Sequence, residues 1–327
     1  MLFQWSRLEA GTIRLVRFLP YSTPSNLYLA LEHRFGYWEE AVQYKALSYV
    51  HGDHTNRKSV TLAGRSFMIT ANLYAALAAV YARGEGDCWL WVDQLCMNHQ
   101  NIAEKNSQVA QMGSIYASAD KVLAWLRPQD SMLRELATGE AEQNTGRSKC
   151  PGHDTAAVLR DIARHPYWHR AWTRVEALRA QSLEIMYGDC FIKHEQLQSL
   201  HGSMQVADQE VLRAALQRFL PKPEPGPADD NVHPATILSE VMLEYSKCIS
   251  SNVLDRIFAL LNDPRLDTLP LKHRPQPNYG LTAPGLASAL ALWHDDLRNV
   301  PATSPTSGMN PTLYDFHGCL TAVLDLP

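Results

Sequence analysis

Trp168, Trp172 and Glu176 recur at every fourth position, so a helix running through them would set a carboxylate on an aromatic, inward-facing stripe. A carboxylate in such surroundings must find a cation, hydrogen-bond donors or a ligand. Arg170, Arg174 and Arg179 offer the cation, and a structural ion pair is one outcome; a substrate-facing, catalytic Glu176 is the other. A second cluster follows two apolar runs. Ser48, Tyr49, His51, Gly52 and Asp53 stand at the end of the run that starts at Tyr44, while Asp93 and Gln94 stand at the end of the run that starts at Cys88. The loop from His51 to His54 brings two imidazoles and a carboxylate together, and His51 suits general acid–base work near neutral pH. Capping of a turn or loop is the competing job for Asp53 and Asp93. Tyr49, Trp91 and Trp125 have the surface to stack on a planar ring, or else to fill a core.

Two other constellations use the same residues. His51, His54, Cys96 and His99 carry nitrogen and sulfur of the kind zinc takes, but their spacing matches no established pattern, so no metal is expected. Cys96 with Asp93 and either His51 or His99 would make a nucleophilic site. No glycine-rich phosphate cradle and no nucleophile-elbow motif occurs. Lys plus Arg is 30 against 34 Asp plus Glu, a net charge of -4, which gives no basic field for nucleic acid or an anionic membrane. A small molecule, or another protein such as a second copy of the chain, is the expected partner.

These residues need a scaffold, and the chain describes one. The runs YKALSYV, CWLWVD, KVLAWL and LEIMYG read as buried strands separated by helical patterns, which implies crossovers and a mostly parallel sheet covered on both faces. Ligands bind outside the carboxyl ends of such strands, where the Ser48–Asp53 and Asp93–Gln94 clusters fall. The stretch from Ala71 to Gly84 repeats apolar residues at Leu73, Ala76, Leu77, Val80 and Tyr81 and predicts a helix ending at the glycine. A second helix follows Asn101, and the stretch from His153 to Ala180 predicts two helices broken at Pro166. SVTLAGRSFMIT predicts a hairpin turning near Gly64, with edge strands from TIRLVRF and LYLALEH. Beyond about residue 190, helical patterns at 195–219, 235–249, 253–261 and 281–297 alternate with proline-rich loops and no clear strand.

The domain division expected is therefore an α/β domain over 1–190 and a helical C-terminal extension over 191–327, packed on it. The six cysteines are scattered without C-x-x-C pairs and read as reduced thiols. The start lacks the pattern of a signal peptide, and the longest nearly apolar run, GLASALALW from Gly285, is about half of a membrane span. A cytoplasmic protein without membrane contact is the expectation.

Three ordered motifs resemble the fungal heterokaryon-incompatibility (HET) domain. YKALSYVHGD from Tyr44 is similar to the family's Y-x-A-L-S-Y-x-W-G. LWVDQLCMNHQNIAEKNSQVAQMGSIYAS from Leu90 is similar to its L-W-I-D-x-x-C-I-N-Q followed by E-[KR]-x-x-Q-V-x-x-M-x-x-I-Y. YWHRAWTRVEALRA from Tyr167 is similar to W-x-R-x-W-x-x-Q-E. The chain departs at His51 where the family has Trp, at His99 as an extra residue before Gln100, and at Val175 in place of Gln. The resemblance implies a fold like that of Toll/interleukin receptor (TIR) domains, a flavodoxin-like parallel sheet, and NAD as a possible substrate with no cofactor required. It also implies cleavage at the nicotinamide bond, with Glu176 as the carboxylate that stabilises an oxocarbenium-like ribose. Ser48, Tyr49, Gly52, Asp53, Asp93, Gln94 and Trp172 would then line the pocket. The implied setting is self/non-self recognition and cell death. The motif departures leave open a small-molecule enzyme of fungal metabolism that uses His51, and a non-catalytic assembly module is a further alternative.

Overall fold

The computed structural model describes residues 3–35, 42–127, 155–188, 190–193, 232–300 and 315–324. The helical pattern at 195–219, the proline-rich loops from Pro221 and Pro301, and Cys150 lie outside the described residues. Chain contacts divide the protein into two compact units. The first is formed by residues 1–98, 115–168 and 180–218, and the second by 99–114, 169–179 and 219–327.

The first unit is built on one nine-stranded sheet. Its strands are β1 (Thr12–Phe18), β2 (Tyr28–Phe35), β3 (Tyr44–Tyr49), β4 (Arg57–Leu62), β5 (Arg65–Thr70), β6 (Trp89–Trp91), β7 (Lys121–Leu126), β8 (Leu183–Tyr187) and β9 (Cys190–Lys193). The order across the sheet is β5-β4-β2-β1-β6-β3-β7-β8-β9. The four apolar runs become its parallel centre, β6-β3-β7-β8, with Tyr49 opposite Trp125 and Ala46 opposite Trp91. Both faces of these strands are covered, and Ala46, Leu47, Leu90, Leu123, Ala124 and Ile185 are fully buried.

The sheet as a whole is mixed, which corrects the expectation of a mostly parallel one. The β1/β2, β4/β5 and β8/β9 pairs are antiparallel because short connections return the chain beside itself, whereas parallel pairing needs a crossover, and β1/β6 is antiparallel between strands far apart in the chain. Nor is β1 an edge strand. It lies between β2 and β6, with Val16 opposite Leu90 and its burial nearly continuous from Thr12 to Phe18. The β4/β5 hairpin turns through Ala63 (φ 48°) and Gly64 (φ 75°), two positive angles that match the twist of the flanking strands.

Helix α1 (Ala71–Ala82) starts where the Thr70 hydroxyl accepts the Leu73 N–H at 3.3 Å, and it is followed by Gly84 at φ 85°. A single helical turn, α2 (Asp93–Cys96), follows β6 directly. Helix α3 is Ile102–Ser118 and α4 is Thr155–Arg164. Pro166 opens a 3-10 turn, Pro166–His169, as its position predicts. Arg170 is then extended (φ -88°, ψ 142°) before α5 (Ala171–Leu178), so Trp168 and Glu176 do not share one continuous helix.

The second unit is helical over its described residues. Besides α5 and most of α3 it holds α6 (Pro234–Ser246), α7 (Val253–Leu261), α8 (Ala283–Arg298) and α9 (Phe316–Leu324). Leu238, Val241, Met242 and Tyr245 of α6, Ile257, Phe258 and Leu260 of α7, and Leu290 and Trp293 of α8 are fully buried. Among the described residues no helix is long and apolar enough to cross a membrane.

Candidate functional site

The carboxyl ends of β3 and β6 place the predicted cluster. Strand alternation turns Ser48 inward, where it is fully buried and its hydroxyl lies 2.6 Å from the Tyr167 hydroxyl. Tyr49, also buried, donates its hydroxyl to Asp93 Oδ1 at 2.8 Å. The other oxygen of that carboxylate, Oδ2, lies 3.1 Å from His51 Nε2. Asp93 Oδ1 also accepts the Gln94 N–H at 2.7 Å, which fixes the carboxylate on the first residue of α2. The Tyr49 and His51 rings are 5.2 Å apart, and His51 stacks loosely on His54 at 6.0 Å. His51 keeps 29 % of its side chain exposed while Asp93 keeps 13 %, so the imidazole faces solvent and the carboxylate stands behind it. A carboxylate that holds an imidazole fixes its orientation and stabilises its protonated form, as a general base requires.

Gly52 and Asp53 serve the loop around this pair. Gly52 has φ 74°, and a Cβ there would come within 3.2 Å of Asn72. Asp53 is fully exposed and closes a turn by accepting the Thr55 hydroxyl at 2.7 Å and the Thr55 N–H at 2.8 Å, and these bonds hold its carboxyl below the ordinary range. Gln94 has its Oε1 buried without a hydrogen-bond partner among the described residues.

Two positioning residues were not legible in the sequence. Asn72, in the first turn of α1, donates to the Val50 carbonyl at 2.5 Å and accepts the Trp125 indole N–H at 2.9 Å, tying the loop after β3 to β7. An asparagine in the first helical turn reads as an ordinary cap, so the pattern gave no signal. Arg14 is fully buried on β1 and donates to the Cys96 carbonyl at 3.1 Å and the Ser6 carbonyl at 2.6 Å, with its guanidinium over the Trp5 ring. It thus holds the end of the turn that carries Asp93.

Cys96 is fully buried and its thiol is pushed up to about 12 by burial, which works against the thiolate a nucleophile needs. Its sulfur accepts the Val92 N–H at 3.3 Å instead. Among the described residues no group of three or more His, Cys, Asp or Glu side chains is arranged to hold a metal ion. Cys88, Cys96, Cys248 and Cys319 stand outside disulfides.

Glu176 and Trp172 belong to the second unit. Both are on α5; Glu176 is 6 % exposed and Trp172 is half-buried. The neighbouring Arg174 pairs with Glu244, which also takes Arg265 at 2.9 Å. Burial works against the Arg265 charge, but its bonds to Asp263 and Glu244 outweigh it and hold its proton more tightly than usual.

Strands and helices arranged in this way define an α/β protein, and its parallel strands carry a carboxylate-held imidazole at their carboxyl ends, where ligands of such sheets usually bind. Residues 44–176 match the family described as Heterokaryon incompatibility protein (HET), and this stretch carries a HET domain. The chain is 38 % identical over 97 residues to "Heterokaryon incompatibility protein 6, OR allele" of Neurospora crassa (strain ATCC 24698 / 74-OR23-1A / CBS 708.71 / DSM 1257 / FGSC 987). That match covers 26 % of this chain and 14 % of the relative. No solved structure matches the chain.

Proposed function

We propose that the chain acts in fungal self/non-self incompatibility, binds a nucleotide-like molecule at the carboxyl ends of β3 and β6, and cleaves NAD at its nicotinamide bond. The observation that carries this reading is the Tyr49–Asp93–His51 constellation, with Asp93 3.1 Å from the imidazole and 2.8 Å from the phenol. The strand order β6-β3-β7-β8 supports the TIR-like, flavodoxin-like component, since numbering those strands by chain position gives 2-1-3-4. In the reaction, water attacks the ribosyl C1′ as the bond to nicotinamide breaks. The bonding electrons leave with the ring nitrogen, and His51 takes the water proton. ADP-ribose, nicotinamide and one proton result, and Asp93 stabilises the imidazolium while it lasts.

Purified full-length chain incubated with NAD is expected to release nicotinamide, measured by chromatography. His51→Ala and Asp93→Asn are each expected to lower the rate by about 10²-fold or more. No release by the unaltered chain overturns the reading. Glu176→Gln is a separate arm: loss of turnover there with Asp93→Asn active would transfer the catalytic role to Glu176. The same His51–Asp93 pair favours a second reading, an acid–base enzyme acting on another small molecule, which predicts a His51-dependent activity without NAD turnover.

A further inference from the structure

The second unit contains a cavity of about 380 Å³, a size that admits a small metabolite. Its floor is built tightly. The Gly113 N–H donates to Asn262 Oδ1 at 2.9 Å, and Asn262 Nδ2 donates to the Phe258 and Val109 carbonyls at 2.8 and 3.2 Å. A Cβ at Gly113 would meet Asn262 Oδ1 at 2.9 Å and Arg179 Nε at 3.1 Å, so only glycine permits this seat.

Two guanidiniums and one carboxylate line the cavity: Arg179, Arg274 and Asp267. Asp267 takes both terminal nitrogens of Arg179, one of them at 2.8 Å, and so neutralises that residue. Among the described residues no carboxylate holds Arg274 in this way. Arg274 donates one terminal nitrogen to the Leu266 carbonyl at 3.1 Å and the other to the Leu261 carbonyl at 2.5 Å, leaving further N–H groups of its fork for a ligand. Burial weighs most against its cationic form, Asp267 supports that form, and the Arg179 charge adds a smaller opposition. One positive charge is therefore in excess on a preorganised wall, and a guanidinium in that situation recognises an oxyanion.

We infer that this cavity is a binding site for a small polar metabolite carrying an oxyanion, a phosphate monoester or a carboxylate, held by the Arg274 guanidinium. The inference concerns the second unit alone and does not depend on NAD cleavage. Asp267 lowers the positive field of the wall, Gln276 is an exposed and uncharged position of it where a charge can be added, and neither side chain accepts the Arg274 bonds to Leu261 and Leu266.

Calorimetric titration of the full-length chain with ribose 5-phosphate, citrate and inorganic phosphate separates phosphate esters from carboxylates and from the bare ion. At least one is expected to bind with Kd below about 1 mM. Gln276→Glu is expected to weaken it by about tenfold, and Asp267→Asn to tighten it severalfold by releasing Arg179. Arg274→Met should abolish binding, and if that variant does not fold, the Gln276→Glu and Asp267→Asn pair decides alone. No binding by any of the three ligands, or binding indifferent to both of those changes, overturns the proposal.

Discussion

Asn72 serves two partners at once, and removing it shows what the loop after β3 depends on. Asn72→Ala strips the acceptor from the partly buried Trp125 indole N–H and the donor from Val50, and is expected to cost about 1–3 kcal/mol in urea unfolding. Thiol labelling separates Cys96 from the surface: with its thiol near 12 and no exposed surface, Cys96 should stay unmodified by maleimide at pH 8 until the chain is unfolded. Mass spectrometry of the labelled peptides reads this directly. Tyr49, His51 and Asp93 were legible in the sequence because strand ends place side chains where ligands bind. Asn72 and Arg14 were not, since each acts on a backbone carbonyl far along the chain, and a backbone carbonyl leaves no mark in a sequence.

Among the elements, the β4/β5 hairpin carries an avoidable strain. Ala63 sits at φ 48°, a left-handed position that asparagine tolerates better, so Ala63→Asn is expected to stabilise the protein by about 0.5–1 kcal/mol in thermal or urea unfolding. The parallel centre responds in the opposite direction: Leu123→Ala on β7 empties a site with no exposed surface and is expected to cost about 2–5 kcal/mol. The four central strands were legible as continuous apolar runs, and the hairpin as a glycine between two alternating segments. The interior place of β1 was not legible, because alternation says which residues are buried and not which strand lies alongside. The break at Arg170 was hidden for a related reason: nothing in the residue types from Tyr167 to Glu176 forbids a helix, and the interruption after His169 coincides with tertiary bonding of this segment to Ile249.

Across the whole molecule, each unit buries a histidine in its neutral form. His165 in the first unit is held below its ordinary value by burial, against the Arg127 carbonyl bond and Asp161. In the second, His294 is stacked 3.8 Å from the Phe316 ring and is lowered by burial. Asp295 opposes that effect, while Arg298, His317 and His233 add to it. A depressed folded-state value means the unfolded chain binds the proton first, so stability present above about pH 6.5 is lost as the pH falls further. Thermal unfolding at pH 5.5 is expected to begin at a lower temperature than at pH 7.5, and His294→Leu should narrow the difference.

Arg14 gives the molecule a timetable. The β1/β2 hairpin leaves the ribosome before β6, and the carbonyl that Arg14 must reach belongs to Cys96, 82 residues later. Until that stretch has been synthesised, the guanidinium has the Ser6 carbonyl and the Trp5 ring but not Cys96, and the strand has one open side. The turn that carries Asp93 is thus completed by a residue made long before it, and a chain begun after β1 would make every residue of the Tyr49–His51–Asp93 constellation yet lack the anchor that sets its last member in place.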